Sequence, residues 1–260
     1  MGWDEKSVAD ELEACEKDRR DRDPFTDEWP DMSLDAAYRI QDEVLRRKTD
    51  AGEKVIGVKL GLTSRAKQQR MNVHAPLTGW LTDKMVLEAG VPVPQGELIH
   101  PRAEPEIVFV MGADLEGPGV TAATAMEAVD KVYAGLEIID SRYANFRFTL
   151  TDVVADNASS AKFYIGPIGL PPEQLDLSLE AVLLEVNGEI VDTATGAAVQ
   201  GHPAEALALA ANDLAKRGLK IEAGWIVLTG GMTDAVFTTP GTTVGAHFTN
   251  LGSVYINGGE

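Results

Sequence analysis

The sequence predicts an α+β fold in which helices come first and a mixed, mainly antiparallel set of strands follows. Three observations carry this. The first third of the chain reads as helical, with apolar residues at helical spacing. From Val55 onward, short apolar runs bounded by turn residues dominate. The regular strand–helix alternation of a doubly wound sheet is missing. With 260 residues, 44% apolar and 25% charged, the chain can build one sizeable core.

In chain order, Val8, Leu12 and Cys15 mark a short amphipathic helix, and Lys17 to Pro30 reads as a loop. Ser33 is an N-cap for a second helix with Leu34, Ala37, Tyr38, Gln41, Val44 and Leu45 on one face. Arg46-Arg47-Lys48 suits its C-terminal dipole, and Gly52 ends it. Val55–Leu60 is a strand, Ser64–Met71 a helix and Ala75–Gly79 a turn. Thr121–Val132 is expected as a helix between two carboxylate-bearing strands. Val182–Val191 is a hairpin, because Asn187-Gly188 fits a type I′ turn. His202-Pro203 initiates an Ala/Leu-rich helix, Ala204–Lys216, stopped by Gly218. Trp225–Thr229, Val236–Thr239 and Thr242–Tyr255 complete the strands. The organisation is a helical segment over residues 1–53 and a strand-rich domain over 54–260, in one folding unit.

The net charge of −18 argues against nucleic acid and anionic membranes as partners. An anionic substrate then needs a local positive site. Met1–Arg20 is acidic and polar, and no apolar stretch approaches the roughly 18 residues of a spanning helix. Together with the lone Cys15, this leads us to expect a cytoplasmic protein. Asn157-Ala-Ser159 matches a glycosylation sequon by coincidence on that expectation.

The chemistry concentrates in Glu104-Pro-Glu106, which leads into the apolar run Ile107–Met111. Alternation along a strand puts Glu104, Glu106, Val108 and Val110 on one face. Two carboxylates on a face that buries valines repel each other and lose hydration, and a bound cation relieves both. A third, Glu137, lies in the apolar run Gly135–Asp140. A Glu-x-Glu pair alone is more often a solvated face; the apolar run and Glu137 reverse that. One cysteine and four scattered histidines (His74, His100, His202, His247) disfavour a zinc site, so Mg²⁺ or Mn²⁺ is expected. Lys59, inside Val58-Lys-Leu60, is either an edge lysine or a functional cation. Gly57–Ser64 fails the phosphate-loop spacing, and neither a dinucleotide fingerprint nor a nucleophile elbow occurs. Asp156–Ser160 and Thr229-Gly-Gly231 are each either plain turns or ligand-approaching segments.

Pro30–Ser33, Ile56–Ser64, Glu104–Glu106, Glu137–Tyr143, Val154–Ser160, Gly201–Pro203 and Leu228–Gly231 together resemble the 2-keto-4-pentenoate hydratase and 4-oxalocrotonate decarboxylase family, a branch of the fumarylacetoacetate hydrolase superfamily. The likeness runs from about Glu28 to Ile256. It implies a β-roll, Mg²⁺ or Mn²⁺ on Glu104, Glu106 and Glu137, a catalytic Lys59, and substrate contacts from Ser160 and Thr229. Ile139–Phe146 and Pro30–Ser33 look more like decarboxylases, so the resemblance implies decarboxylation of a 2-oxo-enedioate such as 2-oxo-3-hexenedioate in meta-cleavage degradation of aromatic compounds. Hydration of the dienol product is the alternative. Hydratases of the family typically carry an aspartate where this chain has Thr78, and we expect that loss to remove a proton carrier near substrate. Asn72 and Leu77-Thr78 also depart from the pattern and bear on the room for the distal end of the substrate. A homo-oligomer, and a complex with the pathway hydratase, are expected partners.

Overall fold

A computed structural model describes residues 2–64, 68 and 76–259. The helix expected over Ser64–Met71, and Asn72, fall largely or wholly outside these residues.

Helix α1 (Glu5–Asp18) begins at Asp4, whose carboxylate accepts from Ser7 N–H, and runs further into the expected loop than its spacing suggested. Helix α2 (Leu34–Asp50) is capped by Ser33, whose Oγ accepts from Ala36 N–H at 3.1 Å. These helices bury Val8, Leu12, Ala36, Ala37 and Ile40 against Leu77, Tyr143, Val153 and Val154, so they share a core with the strand-rich region.

The larger sheet has seven strands in the order β2-β1-β8-β3-β4-β5, with β9 paired to β3. Its members are β1 (Val55–Gly61), β2 (Leu77–Thr82), β3 (Arg102–Met111), β4 (Val129–Ile139), β5 (Ser160–Leu170), β8 (Ile226–Leu228) and β9 (Val236–Phe237). Among the described strands of this sheet, only β1 and β8 pair in parallel. The second sheet is β11-β10-β6-β7, from β6 (Ala181–Val186), β7 (Glu189–Thr195), β10 (Thr243–Phe248) and β11 (Gly252–Asn257). The fold is thus α+β with a mixed, mainly antiparallel sheet system. At the β6–β7 turn, Asn187 and Gly188 both take positive φ (51° and 88°), as a type I′ turn requires.

Two expectations need correction. The helix over Thr121–Val132 is only α3 (Ala122–Glu127); Val129 and Val132 belong to β4, where they pair with Met111 and Phe109 of β3. Cross-strand burial of β-branched side chains outweighs local helical spacing there. The expected turn over Ala75–Gly79 is strand from Leu77 onward. The short helix α4 (Leu150–Ala155) precedes β5. Helix α5 (Pro203–Lys216) starts at His202, whose Nδ1 accepts from Ala204 N–H. No helix among the described residues is long and apolar enough to cross a membrane.

Strand parity divides the larger sheet into two faces. Val58, Leu60, Ile107, Phe109, Leu136 and Ile138 pack against the second sheet and α5. Lys59, Glu104, Glu106 and Glu137 lie on the opposite face, beside the small cluster Leu81, Val108, Phe163 and Leu228.

Candidate metal centre

The antiparallel register of β3 and β4 places Glu104 directly opposite Glu137, and Glu106 opposite Gly135. One carboxylate oxygen from each of the three glutamates lies within 4.8 Å of the others. Glu106 and Glu137 are fully buried. Lys59, from β1, enters the same cluster: its Nζ is 2.9 Å from Glu137 Oε2 and donates to Ala158 O at 3.1 Å. Glu137 Oε1 accepts from Ser160 Oγ at 2.7 Å. Glu106 Oε2 accepts from Gly230 N–H at 2.6 Å, while its Oε1 is buried with no hydrogen-bond partner.

The electrostatics follow from this geometry. Burial, reinforced by the charges of Glu137 and Glu104, raises the Glu106 pKa well above the usual carboxylate range. Burial alone would lower the Lys59 pKa, but the charges of Glu137, Glu104 and Glu106 outweigh it and raise it, so the ammonium stays protonated. Among the described residues, three carboxylates and one lysine gather in this largely buried cluster. An all-carboxylate donor set with an orphaned buried oxygen fits a hard divalent cation such as Mg²⁺ or Mn²⁺, and the absence of Cys or His from the set disfavours zinc.

Thr229-Gly230-Gly231 is a close-approach segment rather than a plain turn. A Cβ on Gly231 would collide with the Glu104 carboxylate, and one on Gly230, at φ +112°, with the Thr63 side chain. Thr229 itself is buried, and its hydroxyl donates to Ile107 O at 2.7 Å, tying β8 to β3.

A cleft of ≈ 310 Å³ opens from this cluster, lined by Lys59, Glu104, Leu62, Thr63, Leu77, Ile139, Phe146, Phe148, Val153, Ser159 and Gly231, among others. Its wall at Asn157–Ser159 is unusual: three consecutive non-glycine residues take left-handed φ (48°, 53° and 57°). The conformation is held from outside. Asn157 exchanges hydrogen bonds with the Trp80 backbone, and Arg142 clamps Asp156 through its own N–H and guanidinium. The clamp aims Ala158 O at Lys59 and leaves the buried Ser159 Oγ, without a partner, at the cleft. The resemblance implies a substrate contact from Ser160; here Ser160 Oγ donates to Glu137 Oε1, and Ser159 lines the cleft. Only the neighbouring Asn-Ala-Ser cluster hinted at this. Gly230 N–H and Ala158 O, both backbone groups, were beyond sequence reasoning.

Thr78 also lies elsewhere than expected. It faces away from Lys59 and Gly79, and its Oγ1 accepts from Arg217 Nη2 at 2.7 Å on the α5 side. A carboxylate at this position would meet Arg217, not substrate.

The family model for fumarylacetoacetate (FAA) hydrolase C-terminal matches residues 54–256. The chain belongs to the fumarylacetoacetate hydrolase family. Among members of that family, 4-oxalocrotonate decarboxylase from Pseudomonas sp. (strain CF600) is 44% identical over 248 residues, covering 95% of this chain and 94% of the relative. The 2-hydroxyhexa-2,4-dienoate hydratase of Comamonas testosteroni is 43% identical over 215 residues, covering 82% of this chain and 81% of the relative. A solved structure of 4-oxalocrotonate decarboxylase from Pseudomonas putida G7, complexed with magnesium and adipate, is similar with a TM-score of 0.94 and 42% identity, covering 96% of this chain and 95% of that one. The fumarylacetoacetate hydrolase fold therefore extends over nearly the whole chain.

Proposed function

We propose that this chain is a metal-dependent carboxy-lyase. It converts 4-oxalocrotonate (2-oxo-3-hexenedioate) to 2-hydroxy-2,4-pentadienoate and CO₂, with Lys59, Glu104, Glu106, Glu137 and Ser159 at the site. The observation that carries the reading is the buried carboxylate triad with its paired lysine at the end of a cleft, in a chain similar over nearly its full length to 4-oxalocrotonate decarboxylases.

Glu104, Glu106 and Glu137 would hold Mg²⁺ or Mn²⁺. Bound there, the cation supplies Lewis acidity toward the 2-oxo acid end of the substrate. The rest follows from the residues. Cleavage of the bond to the distal carboxylate releases CO₂ and sends its electron pair through the C3–C4 double bond to the 2-oxo oxygen. The Lys59 ammonium, fixed by Glu137 and Ala158 O, places positive charge where that oxygen becomes negative and holds a proton at Nζ. Protonation of the oxygen completes the dienol. Ser159 Oγ is a free donor for the substrate, whereas Ser160 acts by orienting Glu137. Leu62, Leu77, Phe148 and Val153 give the cleft an apolar wall that limits water at the dienol. Thr229 belongs to the same reading through its place next to Gly230 and Gly231, although its hydroxyl is engaged by Ile107 O.

The test is CO₂ release from 2-oxo-3-hexenedioate with Mg²⁺ and with EDTA, beside turnover of 2-hydroxy-2,4-pentadienoate. Metal-dependent CO₂ release, lost in Glu106→Gln, is expected. Hydration of the dienol without CO₂ release would make the chain a hydratase. The reading also includes self-association and hand-over of the dienol to a hydratase, checked by light scattering of each protein alone and mixed. We place the reaction in meta-cleavage degradation of aromatic compounds and in the cytoplasm.

A further inference from the structure

Arg102 occupies the next position on the ligand face of β3. Alternation puts Arg102, Glu104 and Glu106 on one side of the strand, and Arg102 pairs across the sheet with Ile139, which lines the cleft. Its guanidinium lies between two aromatic rings, 4.1 Å from the centroid of Phe146, another cleft residue, and 4.3 Å from that of Phe237. Two rings on its faces leave only the in-plane N–H edges for hydrogen bonding. Among the described residues no carboxylate lies within ion-pair distance of Arg102, and its Nε is buried without a partner. In a chain with 41 acidic and 23 basic residues, an unpaired guanidinium next to a carboxylate cluster requires an explanation. Burial lowers its pKa.

We infer that Arg102 receives the distal carboxylate of the substrate and makes the site selective for dianionic over monoanionic 2-oxo acids. This deepens the proposed function and rests on it. The spacing agrees. Two residues along a strand span roughly 6.6 Å from Glu104 to Arg102. Five C–C bonds of about 1.5 Å in zigzag separate the terminal carbons of a six-carbon dioate by roughly 6 Å. Lys59 is the one cation lining the cleft among the described residues, and Glu137 and Ala158 O already hold it. In a chain of net charge −18, Arg102 supplies the second local positive charge that a dianion needs. A cation on the leaving carboxylate stabilises the bound ground state, so its contribution falls on KM rather than on kcat.

The experiment measures binding of 2-oxoadipate and 2-oxohexanoate, which differ only in the distal carboxylate, to the Mg²⁺-loaded protein by calorimetry. Wild type is expected to bind 2-oxoadipate roughly 10–100-fold more tightly, the range of a charge-assisted hydrogen bond. Arg102→Met is expected to bring the ratio close to one while leaving 2-oxohexanoate unchanged, and to raise KM with kcat nearly kept. Arg102→Lys, which preserves charge and stem, keeps part of the ratio. An undiminished ratio in Arg102→Met, or equal weakening of both ligands, overturns the inference. Mg²⁺-dependent binding of neither ligand by wild type overturns the reading of the site itself, which is a distinguishable result.

Discussion

Replacing Glu106 by Gln should stabilise the metal-free protein while abolishing its response to metal. The three carboxylate oxygens lie within 4.8 Å of one another. At that separation two unit charges repel by about 3.5 kcal/mol at an effective dielectric constant of about 20. Lys59 is drawn closest to Glu137, so it only partly relieves Glu106. A net gain of about 2 kcal/mol for the glutamine, or roughly 4–8 °C in Tm, is expected at pH 8. The sign with pH is specific. Burial, then Glu137 and Glu104, raise the Glu106 pKa in the metal-free chain. Its contribution to stability is therefore complete below the ordinary carboxylate value and is lost as pH rises through the raised one. Metal-free wild type should fall progressively below Glu106→Gln in Tm as pH increases from 5 to 9. Mg²⁺ must displace that proton, so its stabilisation of wild type should grow over the same range, reaching about 2.7 kcal/mol at a hundredfold excess over Kd. Thermal unfolding with EDTA or Mg²⁺ across pH reads all of this. Identical Tm for metal-free wild type and Glu106→Gln at every pH would refute the picture of an uncompensated buried carboxylate.

Three further outcomes follow from the geometry. Gly231→Ala pushes a methyl group into the Glu104 carboxylate, so Mg²⁺ affinity measured by calorimetry should drop at least about 10-fold, in the range of perturbed ligand-orienting contacts, and unchanged affinity would contradict the close approach. Ser159→Ala should raise KM by roughly 10-fold or more with little effect on Mg²⁺ affinity, whereas Ser160→Ala should weaken Mg²⁺ by freeing Glu137; the reverse pattern would restore the sequence-based choice of Ser160. Cys15 is buried and its thiol pKa is pushed up to about 11, so at pH 8 it should react with a thiol reagent far more slowly in the native protein than in guanidinium.

What the sequence disclosed and what it concealed divide along one physical line. Strand alternation is local, so the shared face of Glu104 and Glu106 could be read directly, as could the Ser33 cap and the Asn187-Gly188 turn. Register is not local. Nothing in either strand states that Glu104 pairs with Glu137, although it is this pairing that gathers the cluster. Left-handed backbone in non-glycine residues is equally hidden: with the run at Asn157–Ser159, Ser159 lines the cleft and Ser160 Oγ donates to Glu137. The run is imposed by Arg142 and by the Trp80 backbone, both distant in the chain. The string Glu137–Tyr143 signalled family, and its Arg142 turns out to hold a wall of the cleft.

Thr78 shows the same limit from the functional side. The family resemblance implied a place near the substrate, but one step along a strand reverses a side chain. Gly79 faces Lys59, so Thr78 must face α5, where it meets Arg217. A difference between decarboxylases and hydratases at this position would act through the packing of α5, not by supplying or removing a proton carrier. The residues of the proposed chemistry lie on the other face, where one end of the cleft holds Lys59 and Glu104. Phe146 and Ile139 line that cleft, and the guanidinium of Arg102 lies over the Phe146 ring. If Arg102 fixes a carboxylate there, the bond that breaks is held in one orientation relative to the conjugated system. A monoanionic dienol would lack that anchor. The residue two places before the first metal-binding glutamate would then do more to separate the two activities than Thr78.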